Sequence, residues 1–326
     1  MPSGITKTDG LAFVERTPWH GLGVRVEGGA MTAAQAISAA GLDWNVNKEP
    51  LFHRAADGQY REIENRKAIV REDTGAVFAT LSNHYEILQN LSSFAFFDSV
   101  IGTGEAAYHT AGSLFGGKRI WLLAKLNGDY TLDNGETLES YVLLDNSHDG
   151  STAVRMRLTP VRVVCSNTLA AATARDAEFS ARHTRSVAAK VGEARDLLGL
   201  NAAYMSRFLD QCNRIAAQAW DSDRMVYLAK DLLGLDENRE MADQKGALGR
   251  AGETMVGLFA GGTGNAGKTR WDAYNAVTEY LDYVKGGRSI DSVGATDDHA
   301  VAQRFESGRY GDGRRMRERA WSILQT

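Results

Sequence analysis

The segment from Ala153 to Cys165, Ala-Val-Arg-Met-Arg-Leu-Thr-Pro-Val-Arg-Val-Val-Cys, alternates apolar and polar residues with the period of a strand. One face of that strand carries Arg155, Arg157 and Thr159, and the other carries Val154, Met156, Leu158 and Val164. Pro160 cannot donate to a ladder, which predicts an edge position or a bulge and leaves the face of Arg162 open. Guanidinium groups two residues apart on an exposed face suit phosphates spaced along a nucleic-acid backbone. The competing reading is a solvated strand face ion-paired to its neighbours. Residues 151–190 hold seven Arg or Lys against two acids, and residues 221–243 hold seven acids against three bases. With a net charge of −4, any surface for nucleic acid comes from this segregation and not from overall charge.

Lys118 and Arg119 open a second apolar run through Ile120, Trp121 and Leu122, directly after the glycine-containing stretch from Gly112 to Gly117. If this run neighbours the arginine strand, a contiguous basic sheet face results. Tyr108, His109, Phe115 and Trp121 are then candidate rings for stacking bases of a single strand.

Gly262-Thr-Gly-Asn-Ala-Gly267-Lys268-Thr269 satisfies the phosphate-loop pattern GxxxxGK[ST] letter for letter. Glycine amides around phosphates, a lysine charge and a hydroxyl for Mg²⁺ are what nucleotide chemistry needs there. A working loop of this kind also follows a buried parallel strand and opens a helix. The helix is predicted from Trp271 to Val284, whereas Met255 to Phe259 is short and sits among helices. Free amides at a helix start, with Lys268 and Arg270, equally suit a DNA backbone phosphate.

His20, beside Trp19, reads as packing or capping. His148 and Asp149 fall in the turn from Asp145 to Gly150, where Asp-Gly accounts for a hairpin. The spacing supplies no further metal ligands there, and no catalytic triad, carboxylate pair or HExxH motif can be singled out. Cys165 and Cys212, without CxxC spacing, read as buried thiols. No cofactor is called for.

These residues need elements to hold them. The expectation is an α+β chain: an antiparallel sheet with helices in the N-terminal half, and a mostly helical C-terminal half. The composition shifts at residues 168 and 169, dividing a mixed domain with a basic β-hairpin, 1–168, from a helical region packed on it, 169–326. Thr32 precedes an alanine-rich helix ended by Gly41, the chain from Leu42 to Arg54 reads as extended, and Asp57-Gly58 and Asp73-Thr74-Gly75 mark turns. A helix is predicted over 88–101, and strands over 119–126, 141–144 and 153–165. Further helices are predicted over 182–198, 202–220, 224–233, 245–259, 269–285 and 314–324. The chain has 43% hydrophobic and 24% charged residues, no apolar run of membrane-spanning length and no visible secretory signal, so a cytoplasmic protein without membrane contact is expected.

Several segments together resemble the phage/plasmid-like protein family, defined by a domain of unknown function common in phage and plasmid genomes. They are Pro18-Trp-His-Gly-Leu-Gly23, Asn146 to Gly150 with Pro160 to Thr168, Gly264 to Asp282, and the basic tail after Phe305. In that family the stretch here reading Gly267-Lys268-Thr269-Arg270-Trp271 usually reads Gly-Thr-Ala-Trp, which makes the phosphate-loop lysine incidental. The helix containing Asn275 to Tyr280 looks like a packing or self-association element. The layout, a mixed sheet with a basic hairpin, is similar in outline to single-strand annealing proteins of the RecT and Redβ kind.

That resemblance implies a non-enzymatic homo-oligomer, ring or filament, that binds single-stranded DNA and promotes annealing in phage or plasmid recombination. The candidate DNA contacts are Arg155, Arg157 and Arg162, with Lys118 and Arg119 beside them and Lys268 and Arg270 as a second contact. Two alternatives remain at this point. One is a phosphate-loop NTPase using Gly262 to Thr269. The other is an interaction protein that captures a host or defence factor through the acidic stretch from Asp221 to Asp243.

Overall fold

The computed structural model of the chain describes residues 10–14, 24–26, 32–101, 106–162, 167–168, 178–187, 201–285 and 311–326. Thr32 opens α1 (Ala33–Ala39) with a capping box: its hydroxyl accepts from the Gln35 amide, and the Gln35 side chain accepts from the Thr32 amide. Reciprocal satisfaction of two orphan donors stabilises such a start by about 1 kcal/mol. Gly41, with φ +58°, ends the turn as its position predicts.

Two sheets follow. The smaller, ordered β3-β4-β5, consists of β3 (Val46–Arg54), β4 (Tyr60–Arg71) and β5 (Val77–Ser82). Its two connections hold the predicted Asp57-Gly58 and Asp73-Thr74-Gly75 turns, with Gly58 at φ +81° and Gly75 at φ +67°.

The larger sheet runs β10-β9-β8-β7-β6-β1-β2, with β11 also paired to β9. Its centre is a meander of β6 (Ala106–Leu114), β7 (Arg119–Thr131), β8 (Thr137–Ser147) and β9 (Val154–Arg162). The short strands are β1 (Leu11–Phe13), β2 (Val24–Arg25), β10 (Asn167–Thr168) and β11 (Glu178–Ala181). All pairs in this sheet are antiparallel except β1 with β2. β11 is a strand of the same sheet from beyond residue 168.

Alternation in the meander sends Ile120, Leu122, Ala124, Val142, Leu144, Met156 and Leu158 to the inner face, all buried in the main core. Phe94 of α2 (Asn90–Ile101) joins that core, and the Tyr108 hydroxyl donates to its carbonyl at 3.0 Å. Pro160 sits opposite Ser140 on β8. On its other side β11 pairs only with 154–157 and β10 only with 161–162. The proline therefore stands in the gap between two short strands, where no donor is required.

Among the described residues the helical part comprises α3 (Asn201–Ala216), α4 (Ser222–Leu233), α5 (Gly246–Gly261), α6 (Arg270–Glu279) with a π turn over Tyr280–Val284, and α7 (Asp312–Gln325). The expected α+β class, with the antiparallel sheet first and helices after it, is the class observed. Every residue from Trp271 to Tyr280 is buried within the chain, so α6 is a core helix and not a self-association surface. Tyr204, Phe208, Tyr274 and Trp321 continue the main core without a break from the sheet into the helices. Docking is polar at the β7–β8 turn, where Trp271 Nε1 donates to Glu136 at 3.0 Å and the Asp133 amide donates to Asn213 at 3.0 Å. Cys212 is buried, and burial pushes its thiol pKa up; Cys165 and the Trp19-His20 segment lie outside the described residues. No described helix is long and apolar enough to cross a membrane.

Candidate functional site

The arginine strand is β9, and its faces divide as the alternation predicts: Val154, Met156 and Leu158 are buried inward, and Arg155, Arg157 and Thr159 share the outer face. That outer face is not a solvated one. Arg157 is 7% exposed and bonds the 2%-exposed Asp145 on the neighbouring strand at 3.1 Å. Leu114, Trp121 and Leu143 form a small apolar cluster on the same side. Arg157 is therefore part of a buried ion pair, and its expected role as an exposed phosphate contact is corrected.

The strand opened by Lys118 and Arg119 is β7, and it does not neighbour β9. β8 lies between them and places Asp145 across from both Trp121 and Arg155. Farther along the face, Glu139 accepts from Lys125 at 2.6 Å and from the Tyr141 hydroxyl at 2.7 Å. Burial pushes the Glu139 carboxyl up, but those two hydrogen bonds outweigh it and hold its pKa below the usual carboxylate range. The outer face is thus a lattice of alternating charges, not a contiguous basic platform.

At one end of this face cations predominate. Lys118, Arg119 and Arg155 are each half-buried. The Arg119 guanidinium lies 5.5 Å from the centre of the half-buried Phe115 ring, and its Nε donates to Ser151 at 3.2 Å. Arg119 is opposite Ser147 and Arg155 opposite Asp145, so the two arginines are two strands and two residues apart, about 12 Å. The side chain of Arg162 lies outside the described residues. Of the expected stacking rings, Tyr108 and Trp121 are buried, and His109 packs edge-on to Tyr141.

The phosphate-loop letters fold differently from a nucleotide site. Helix α5, not a strand, precedes the segment. Asp272, in the first turn of α6, collects the amides of Ala266, Lys268 and Thr269 and the Thr269 hydroxyl, at 3.0–3.3 Å. Thr269 returns the interaction by accepting from the Asp272 amide at 3.1 Å. Glu279 accepts from the Thr263 amide in the same way. An internal carboxylate occupies the place where a phosphate would sit, and this geometry speaks against the NTPase alternative.

Arg270 is also committed: it donates to the Leu324 carbonyl at 3.0 Å and lies 5.3 Å from the Trp220 ring centre, with Arg224 at 5.7 Å from that ring. Lys268 is exposed. Because Trp271 docks at the β7–β8 turn while Arg119 begins β7, the two expected cation groups lie toward opposite ends of that strand. They do not form one site.

His148 is fully buried rather than displayed by the turn that follows it. Asn90 donates its amide to the carbonyls of Leu42 and Trp44, which leaves its oxygen to accept from His148 Nε2 at 2.9 Å. The ring stacks on Phe78 and meets Trp44 edge-on. Burial first, and His183 second, push its pKa down to about 3. Asn146, Ser147 and His148 thus form the joint between the two sheets: Asn146 donates to Leu88, and Tyr85 donates to the Ser147 carbonyl.

Sequence reasoning placed a turn at Asp57-Gly58 but missed the exposed rings that the β3–β4 ribbon around it carries. Residues 52–54 and 56–62 are exposed, and β5 pairs only with 66–70, so the ribbon projects past the third strand. Phe52 is 55% and Tyr60 72% exposed. The signal available was Phe52 and Arg54 alternating on one side of the Asp57-Gly58 turn, with Tyr60 just beyond it.

The family described as Domain of unknown function (DUF932) matches residues 77–325. No curated protein and no solved structure matches the chain.

Proposed function

For a chain that belongs to the DUF932 family, a domain of unknown function, we propose single-stranded DNA binding that promotes annealing of complementary strands, without bond-making chemistry of its own. The observation that carries this reading is the end of the outer sheet face where half-buried Arg119 and Arg155 share one side of the sheet, Arg119 beside the Phe115 ring and half-buried Lys118 preceding it in the chain. Arginines about 12 Å apart on a rigid sheet would hold separate phosphates of one strand and leave its bases free to pair. Arg157 supports this end from within through Asp145 rather than touching DNA. Lys268 is kept as a distant, secondary contact, and Arg270 becomes a positioning residue for the C-terminal helix.

The wider setting belongs to the same proposal: a homo-oligomer of phage or plasmid recombination acting in the host cytoplasm. The test is annealing of two labelled complementary strands, with binding to single strand and duplex measured at low and high salt. Faster annealing, and single-strand binding that exceeds duplex binding and falls with salt, is expected. No binding at low salt would overturn the reading.

A second reading, capture of a protein partner, is favoured by one observation. Exposed Tyr227 of α4 accompanies the exposed acids Asp221, Asp223, Asp236, Glu237, Glu240 and Asp243. A basic protein retained from nuclease-treated host lysate by the wild type, and lost with Y227A, would support it.

A further inference from the structure

We infer that the β3–β4 ribbon is a base-stacking finger for single-stranded nucleic acid, with Phe52 and Tyr60 taking bases and Arg54 taking a phosphate between them. Register sets the three side chains on one face: Arg54 is directly opposite Tyr60, and Phe52 lies two residues back along β3, opposite Glu62. A register shift between Pro50 and Phe52 separates this outer, ring-bearing part of the ribbon from its base, where Val46 and Ile69 are buried in the main core.

Charge selects the occupant. Asp57 is taken by Arg61 at 2.6 Å and Glu62 by Lys67, whereas no carboxylate lies within ion-pair distance of Arg54 among the described residues. Glu49 falls on the opposite face. An unneutralised guanidinium between two exposed rings suits a ligand with alternating anionic and flat aromatic groups, which is the repeat of a single strand. Pairing of β3 with a second copy is disfavoured by Pro50, which removes a donor in the middle of the edge strand, and by the charges of Lys48 and Glu49. The ribbon's two strands precede the family match, which begins at residue 77.

The inference rests on the strand-binding reading, and a pair of probes separates the two. Anisotropy is measured with labelled oligothymidylate and with an abasic deoxyribose-phosphate strand of equal length. F52A/Y60A is expected to weaken oligothymidylate binding about 5-fold or more per lost ring and to leave the abasic strand unaffected. F52W/Y60W is expected to retain binding. R119A/R155A weakens both probes alike, because it removes phosphate contacts. Unchanged oligothymidylate binding by F52A/Y60A overturns the finger and leaves the sheet-end site standing. Equal losses on both probes with a change in oligomeric state overturn it in favour of self-association. A wild type that binds neither strand overturns both readings.

Discussion

Replacing Arg157 with alanine is expected to act on stability. Its partner Asp145 is 2% exposed, so truncation of the guanidinium removes a hydrogen-bonded cation from a carboxylate buried opposite Trp121 and Arg155. Breaking one side of a buried pair typically costs about 3–5 kcal/mol. Arg155, one turn of the pleat away and half-buried, falls nearer the range of partly exposed pairs, about 0–1 kcal/mol. At about 2.1 cal/mol/K of unfolding entropy per residue, a 326-residue chain shifts by about 1.5 °C per kcal/mol, so R157A lowers the Tm by roughly 4–7 °C and R155A by no more than about 2 °C. Circular dichroism melts of the two variants read this difference. The pair D145L/R157M, apolar on both sides, is expected to recover most of the loss, since the penalty is a buried charge deprived of its hydrogen-bonded partner and not the absence of an attraction. Equal Tm values for R155A and R157A, or a double variant no better than R157A, would refute the reasoning.

Two further outcomes follow from buried groups elsewhere. Asp272→Ala orphans the three loop amides it holds and is expected to cost about 2–4 kcal/mol in chemical denaturation, while Mg²⁺-ATP leaves the wild-type Tm unchanged because those amides are already occupied. A loss below about 0.5 kcal/mol, or a Tm raised by Mg²⁺-ATP, contradicts that loop geometry. His148, with its pKa pushed down to about 3, binds its proton in the unfolded chain before the folded one. Its contribution is complete above its unfolded pKa of about 6.5 and is lost as the pH falls from there toward 3, at up to about 1.4 kcal/mol per pH unit. H148Q, which can still donate to Asn90, is expected to flatten this acid limb; a slope equal to wild type contradicts the assignment.

Local alternation and capping were readable directly. The outward set Arg155, Arg157 and Thr159, the Thr32 cap and the Asp57-Gly58 turn each follow from short-range geometry that neighbours do not alter. The meander order of β7, β8 and β9 follows from their short connections, but the register that sets Asp145 across from Arg155 was not readable. Inserting β8 between β7 and β9 turned an expected basic face into one with Asp145 at its centre. The phosphate-loop letters misled for a related reason, since the pattern does not include Asp272, three residues past its last letter, whose carboxylate fills the nest. His148 was placed in a turn because Asp149-Gly150 dominates the local signal. Its burial depends on Asn90, Phe78 and Trp44, contributed by other elements. Exposed rings such as Tyr60 look like core candidates in a sequence, and only the length of the ribbon beyond β5 distinguishes them.

The most direct test of the strand-binding account is the salt dependence of affinity for a single-stranded oligonucleotide, compared between wild type and R119A/R155A. Each phosphate contact on a single strand contributes about 0.7 to the slope of log K against log salt. The account predicts a slope shallower by about 1.4 in the double variant, with weaker binding at low salt and a single cooperative melt lowered by no more than a few degrees. A double variant that keeps both the wild-type affinity and the wild-type slope would contradict it.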